Sequence, residues 1–428
     1  MTLEKCLQEL YQLRRFGIKL ELGTIRRMLA GLGNPQDRLK TIHIAGTNGK
    51  GSVAATLYAI LMEAGYSVGM YTSPHLIRFN ERFMADGRMA TDAEILEAYL
   101  AVRQIPKGNR EPTFFEYTTA MAFDLFARQG VDWVVVETGM GGRMDATNVI
   151  VPAISIITNV TLEHQQYLGN TLEDIAWEKG GIIKPRIPVV TAVTQPKVAA
   201  VLQAIAEIRK SDIYRLGKDF TFRSRADGTF TYKGIFSDMP KLECRLAGEH
   251  QLKNAALSLA ACEVLADRRF PIGERAIRDG LKATNWPGRL EIVQKEPELI
   301  LDGAHNLDAA RRLAAHLAKV YSNRHITLVI GILADKPYEK ILKLLVPHCN
   351  RVICTKPKID RALPVETIQN ISGKYCTDVI AIPKVDRAVQ YALAHAAPED
   401  VICVAGSLYV VGEAKSYLDG IQQTLQGI

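Results

Sequence analysis

The sequence predicts an α/β fold in two domains, and three observations carry this reading. Short β-branched runs alternate with longer helical patterns along the chain, the mark of a mostly parallel sheet covered on both faces. A glycine-rich turn at 46–51 lies between one such strand and one such helix. The turn-rich run Thr284-Asn285-Trp286-Pro287-Gly288 interrupts the alternation and divides it into a domain at 1–287 and a smaller one at 288–428. With 428 residues, 47% apolar and 23% charged, the chain is too apolar for disorder and suits two or three cores of about 150 residues.

Taken in order, strands are expected at 41–45, 67–72, 133–137, 153–160 and 188–193. A helix over 52–64 starts directly after the glycine-rich turn and closes at Gly65. Segment 73–88 has the turn residues and charge of a mobile loop able to cover a ligand. After the boundary, strands are expected at 290–293, 299–301, 326–330, 351–354, 379–382 and 401–404. An amphipathic helix is expected over 308–321. No fixed-period repeat and no low-complexity tract interrupts the pattern.

Composition removes several classes. The apolar runs near 54–62 and 150–160 break well short of the ~20 residues a bilayer needs, so no membrane partner is expected. The N-terminus carries mixed charge from the start and reads as neither a secretory signal nor a transit peptide; a cytoplasmic address is expected. Seven scattered cysteines form no CxxC pair, which argues against a zinc site or a disulfide framework. The formal charge of +7 is spread among 46 acidic residues without a basic stripe, so small anionic ligands are favoured over nucleic acid.

The sharpest local signal is Gly46-Thr47-Asn48-Gly49-Lys50-Gly51-Ser52, placed between a strand and a helix as a phosphate loop requires. Its glycines let backbone N–H groups turn toward phosphate oxygens, the helix N-terminus adds a favourable dipole, and Lys50 adds a charge. Ser52 is placed to offer a hydroxyl to Mg²⁺. Only two residues separate Gly46 from Gly49, and Gly51 splits Lys50 from Ser52, which departs from the common phosphate loop. This variant resembles that of ATP-dependent amide ligases, and no guanine-reading Asn-Lys-x-Asp run is present.

Further segments extend the likeness from end to end: 71–76, 78–82, 114–116, 137–148, 158–164, 177–182, 248–254, 286–291, 302–306 and 406–407. In that order they resemble the bacterial dihydrofolate synthase/folylpolyglutamate synthase family, a branch of the Mur ligase superfamily. The resemblance implies a Mur-ligase-like central domain and a Rossmann-like glutamate-ligase domain. Only about 40 residues precede the loop, too few for the nucleotide-sugar domain that other Mur ligases place there.

Site residues follow from the resemblance. Glu137 also stands out unaided, as a carboxylate at the carboxyl end of an apolar strand. With Ser52 and Ser73 it resembles a Mg²⁺ site, and His164 resembles the ligand of a second Mg²⁺, preceded here by Glu163 where the family usually has Asp. On spacing alone Lys179 reads as a solvated helix lysine; the resemblance implies a carbamylated one. Asn254, Arg289 and Asp302 match nucleotide contacts, which implies ATP held between the domains. His305 and Ser407 match positions facing the incoming glutamate. Thr113, Phe114, Phe115, Glu116, Met144, Asp145 and Ala146 match the pterin pocket, the rings packing on the heterocycle and Glu116 or Asp145 accepting from its N–H groups.

The implied reaction is ATP-dependent amide formation. The carboxylate of dihydropteroate or a reduced folate becomes an acyl phosphate, which the amine of L-glutamate then attacks. Lys50 and two Mg²⁺ ions neutralise the assembled charge. A polyglutamylating enzyme without the dihydropteroate activity, or a Mur-type ligase for another carboxylate, are the alternatives. The family precedent is a monomer.

Overall fold

The computed structural model describes residues 2–17, 19–106 and 108–426 and divides into two compact units. Within the described residues the first takes Met1–His75, Phe79–Arg245 and Gln251–Asn285. The second takes Leu76–Arg78, Leu246–His250 and Trp286–Ile428.

The first unit is built on eight strands: β1 (Lys40–Ala45), β2 (Val68–Tyr71), β3 (Phe83–Ala85), β4 (Arg88–Met89), β5 (Trp133–Glu137), β6 (Ile154–Ile157), β7 (Val189–Thr191) and β8 (Ile213–Arg215). Their order is β4-β3-β2-β5-β1-β6-β7-β8, parallel except for β3 and β4. The central strands β1, β5 and β6 are buried almost throughout, which is why they read as unbroken β-branched runs rather than alternating ones. The parallel register sets Ile44 beside Glu137 and Ala45 beside Ile157, so three strand ends open on the same edge.

Around this sheet the helices begin where short polar side chains can satisfy the first N–H groups. Thr91, Thr113 and Thr171 each form a capping box with Glu94, Glu116 and Asp174. The helix Lys50–Glu63 and the helix Glu274–Ala283 pack closely, Gly280 resting against Ile60.

Two expectations change. Segment 73–88 is not a free loop: a 3₁₀ turn at Phe79–Arg82 and the antiparallel pair β3–β4 occupy it, because Phe79 and Phe83 are buried in the core. A three-stranded antiparallel meander, β9 (Thr221–Ser224), β10 (Phe230–Lys233) and β11 (Asp238–Leu242), was not expected. Its alternation is short, and only Phe230, Tyr232, Met239 and Leu242 turn inward.

The second unit holds six strands: β12 (Glu291–Lys295), β13 (Glu298–Leu301), β14 (Ile326–Ile330), β15 (Arg351–Cys354), β16 (Asp378–Ala381) and β17 (Val401–Ala405), ordered β12-β13-β17-β14-β15-β16. Only β12 is antiparallel. Separate apolar clusters pack on its two faces, one under the helix Leu307–Val320 and one under the helices Val385–Ala394 and Leu408–Gln426. All seven cysteines are free thiols. Among the described residues no helix is long and apolar enough to cross a membrane.

Candidate active site

The glycine-rich turn joins β1 to the helix Lys50–Glu63, whose first N–H groups have no partner within the helix. Two of its glycines are required by geometry. Gly46 has φ 155°, and a Cβ there would lie 1.8 Å from Thr158 Oγ1. Gly49 has φ 85°, and a Cβ there would lie 2.7 Å from Asn254 Oδ1. The turn is clamped from beyond β6: Thr47 N and Asn48 N donate to Asn159 Oδ1 at 3.2 and 2.8 Å, and Thr158 Oγ1 donates to Asn48 O at 2.6 Å. Two of the N–H groups expected to face phosphate are therefore engaged. The part-exposed stretch from Gly49 to Gly51, leading into buried Ser52, leaves the helix start for an anion.

Lys50 Nζ donates to Gly46 O at 3.1 Å and stands 3.7 Å from Glu137 Oε1. Glu137, 5% exposed at the end of β5, accepts from Ser73 N at 3.2 Å through Oε2. Ser52, Ser73 and Glu137 are oxygen donors, and few in number. That suits Mg²⁺, which keeps much of its water shell and shares it with phosphate. No three His, Cys, Asp or Glu side chains cluster as a metal cage among the described residues.

Lys179 lies in the last turn of the helix Leu172–Gly180 and is 3% exposed, which overturns the solvated reading from spacing. Desolvation, aided by Lys50, pushes its amine down to about 7, against the pull of Glu163 and Asp145. His164 is exposed over 39% of its side chain and left-handed (φ 51°), with Nε2 3.7 Å from Glu163 Oε1.

The pterin-pocket residues separate into two groups. Thr113 and Glu116 form the capping box of the helix Phe114–Gln129, and the Glu116 carboxylate takes two bonds from Arg110 at 2.7 and 2.9 Å. Asp145 is buried and accepts from Met140 N, Thr147 N and Thr147 Oγ1 at 2.8, 3.0 and 2.5 Å. Both carboxylates therefore also fasten their own surroundings, Glu116 its helix start and Asp145 its loop, a role the resemblance did not imply. The rings remain: Phe114 stacks on Tyr11 (5.8 Å) beneath Arg14, and Phe115 stacks on Tyr71 (6.1 Å). Met144 is half-buried and Ala146 buried in the adjoining loop.

In the second unit the matching residues gather at the carboxyl ends of β13 and β17. Asp302 is buried, accepting from Leu290 N and Ala304 N at 2.9 Å each. Burial raises its carboxyl pKa, and the Arg289 guanidinium opposes this. Arg289 donates to Gly288 O at 3.0 Å, and His305 Nδ1 lies 2.7 Å from Gly303 O. Ser407 Oγ accepts from Val410 N at 3.2 Å, capping the helix Leu408–Gln426.

Comparison with known proteins identifies the family. The Mur ligase middle domain matches residues 44–262, and the Mur ligase glutamate ligase domain matches 288–408. A dihydrofolate synthase/folylpolyglutamate synthase of Bacillus subtilis is 36% identical over 94% of this chain and 96% of its own. The chain belongs to the dihydrofolate synthase/folylpolyglutamate synthase family of Mur ligases.

Two solved structures of the family show how far the likeness extends. Escherichia coli FolC in complex with DHPP and ADP superposes with a TM-score of 0.91 at 30% identity, covering 99% of each chain. The Yersinia pestis bifunctional folylpolyglutamate synthase/dihydrofolate synthase complexed with AMPPNP and Mn ion gives 0.88 at 31% identity, covering 98% of each. The chain is thus a ligase forming C–N bonds. Sequence reasoning assigned no role in this ligase to Thr158 and Asn159, which clamp the phosphate loop. A Thr-Asn pair just past an apolar strand end was the available signal.

Proposed function

We propose that this ligase joins L-glutamate to dihydropteroate, to reduced folates or to both, at the expense of ATP. The observation that carries the reading is Lys50 set between the phosphate loop and Glu137 at adjoining strand ends, in a chain matching both Mur ligase domains. Gly46, Thr47, Asn48, Gly49, Lys50, Gly51 and Ser52 form the ATP phosphate loop, Thr47 and Asn48 held by Asn159 while Gly49, Lys50, Gly51 and Ser52 receive the phosphates; Asn254 lies beside the loop, and Arg289 and Asp302 complete the nucleotide contacts. Ser52, Ser73 and Glu137 would hold one Mg²⁺ and His164 a second, and the ions supply charge neutralisation where two anions must meet.

The γ-phosphoryl group passes from ATP to the substrate carboxylate, releasing ADP and leaving an acyl phosphate. The glutamate amine attacks the acyl carbon, loses a proton to solvent, and phosphate departs with the former carboxylate oxygen. Lys50 offsets charge on the transferring group. Phe114, Phe115, Met144 and Ala146 line the pterin side; His305 and Ser407 face glutamate. Lys179, held near neutrality by burial, is the amine that takes up CO₂ as a carbamate. The domain at 1–287 binds ATP, the domain at 288–428 is the glutamate-ligase domain, and the enzyme works as a cytoplasmic monomer.

Phosphate release with ATP, L-glutamate and either dihydropteroate or a reduced folate is the test. Stimulation by both supports a bifunctional enzyme, and stimulation by folate alone restricts it to polyglutamylation. If neither pterin stimulates release, the reading fails.

A further inference from the structure

His43 occupies the middle of β1, where a strand buried on both faces is served by Val or Ile for packing alone. It is fully buried, and a polar ring there is costly unless its nitrogens find partners. Nε2 lies 2.8 Å from Thr147 Oγ1, while Nδ1 has no hydrogen-bond partner among the described residues. The neighbouring bond decides the direction of this one. Thr147 Oγ1 gives its only proton to Asp145 Oδ1 at 2.5 Å, so it must accept from His43, which is therefore the Nε2–H tautomer.

The relay continues into the backbone. Asp145 Oδ2 accepts from Met140 N at 2.8 Å, and Oδ1 also accepts from Thr147 N at 3.0 Å, so one carboxylate spans the 139–148 loop. That loop is latched onto the helix end that carries Lys179. Arg143 N donates to Glu178 O at 2.7 Å, Asn148 Nδ2 donates to Gly181 O at 3.1 Å, and a Cβ on Gly142 would lie 2.8 Å from Lys179 O.

We propose that His43 is a positioning residue for the ligase reaction. Its Nε2–H orients the Thr147 hydroxyl, and through Asp145 it holds the 139–148 loop where Met144 and Ala146 meet the pterin and Gly142 backs Lys179. The assignment of the pterin to this loop rests on the function proposed above; the relay itself does not.

The test uses His43→Leu and Thr147→Val, which keep volume and delete the donor or the hydroxyl, with His43→Gln and Thr147→Ser as conservative restorations. Hydrogen exchange should speed up in the 139–148 segment of the first two variants and stay unchanged in the phosphate loop. The KM for the pterin substrate should rise about ten-fold while that for ATP stays within about two-fold, and the conservative variants should recover most of the loss. The double variant should be no worse than the worse single one, since both cut the same relay. Unchanged loop exchange, equal rises in both KM values, or additive losses would overturn the proposal. If the wild-type enzyme shows no pterin-dependent turnover, the functional reading fails, and the exchange measurement still decides the relay. If His43→Leu does not fold, the Thr147→Val and Thr147→Ser pair carries both readouts.

Discussion

Lys50 and Lys179 are two cations in one neighbourhood, and burial makes the second of them reactive. With its amine held down to about 7, mainly by desolvation and then by Lys50, half of Lys179 is neutral near pH 7. Only the neutral amine can form the N–C bond to CO₂, releasing a proton and leaving an anionic carbamate. Bicarbonate-dependent activity should therefore rise with pH through about 7 and level off above it. Lys179→Met should lower kcat about a hundred-fold or more, since a thioether cannot take up CO₂. Intact mass under acid-free conditions should show one added CO₂, and a bare amine in active enzyme would remove the carbamate from the mechanism. Gly46→Ala should abolish ATP binding, because its Cβ would collide with Thr158 Oγ1 and the Thr158–Asn159 clamp would open. Nucleotide titration checks this, with Lys50→Ala expected to lose turnover while keeping the wild-type melting temperature.

At the scale of elements, carboxylates do much of the fastening. Glu263, buried on the helix Glu249–Asp267, accepts from Tyr232 Oη at 2.6 Å, from Ile235 N and Ser237 N at 2.8 Å each, and from Ser237 Oγ at 3.0 Å. It thereby ties the turn between β10 and β11 to the core. Glu263→Gln sets an amide NH₂ against backbone donors and should cost about 2–4 kcal/mol in urea unfolding, with faster exchange confined to the meander. Loss below 0.5 kcal/mol would show that the meander is held by its apolar face alone. Glu116 fastens in the same way, joining its own helix start to Arg110.

For the molecule as a whole, desolvated neutral histidines, one buried and one partly buried, lower the acid limit. Burial lowers the His43 pKa to about 3, with Lys184 adding to the effect. Burial lowers that of His250 to about 4, helped by Arg312, His316 and Arg289 against Asp308. In the unfolded chain both take up protons below about 6.5. The unfolded state then binds more protons than the folded one between about 6.5 and 3–4. Each histidine therefore removes stability as pH falls through that window, by up to about 1.4 kcal/mol per pH unit. Urea midpoints should drop between pH 7 and pH 5, and His43→Gln should flatten the slope. An unchanged slope would mean that His43 is not buried in its neutral form.

Much of the architecture was legible in the residues. Strands at 133–137, 326–330 and 351–354 lie where their β-branched runs end, because hydrophobic period and backbone propensity are local properties. The phosphate loop was equally plain, since its strand-glycine-lysine-helix order lies within a dozen residues. Other features depend on partners far along the chain. Asn159 takes the N–H groups of Thr47 and Asn48, more than a hundred residues away, and Asn254 fills the space beside Gly49. The β3–β4 and β9–β10 hairpins close around Asp86-Gly87 and Asp227-Gly228, a local turn signal that strands of only two to four residues make easy to pass over. The sequence by itself determined the fold class and the chemistry of the loop. Tertiary structure alone decided which polar groups stay free to act, because desolvation and hydrogen-bond satisfaction are properties of the packed chain.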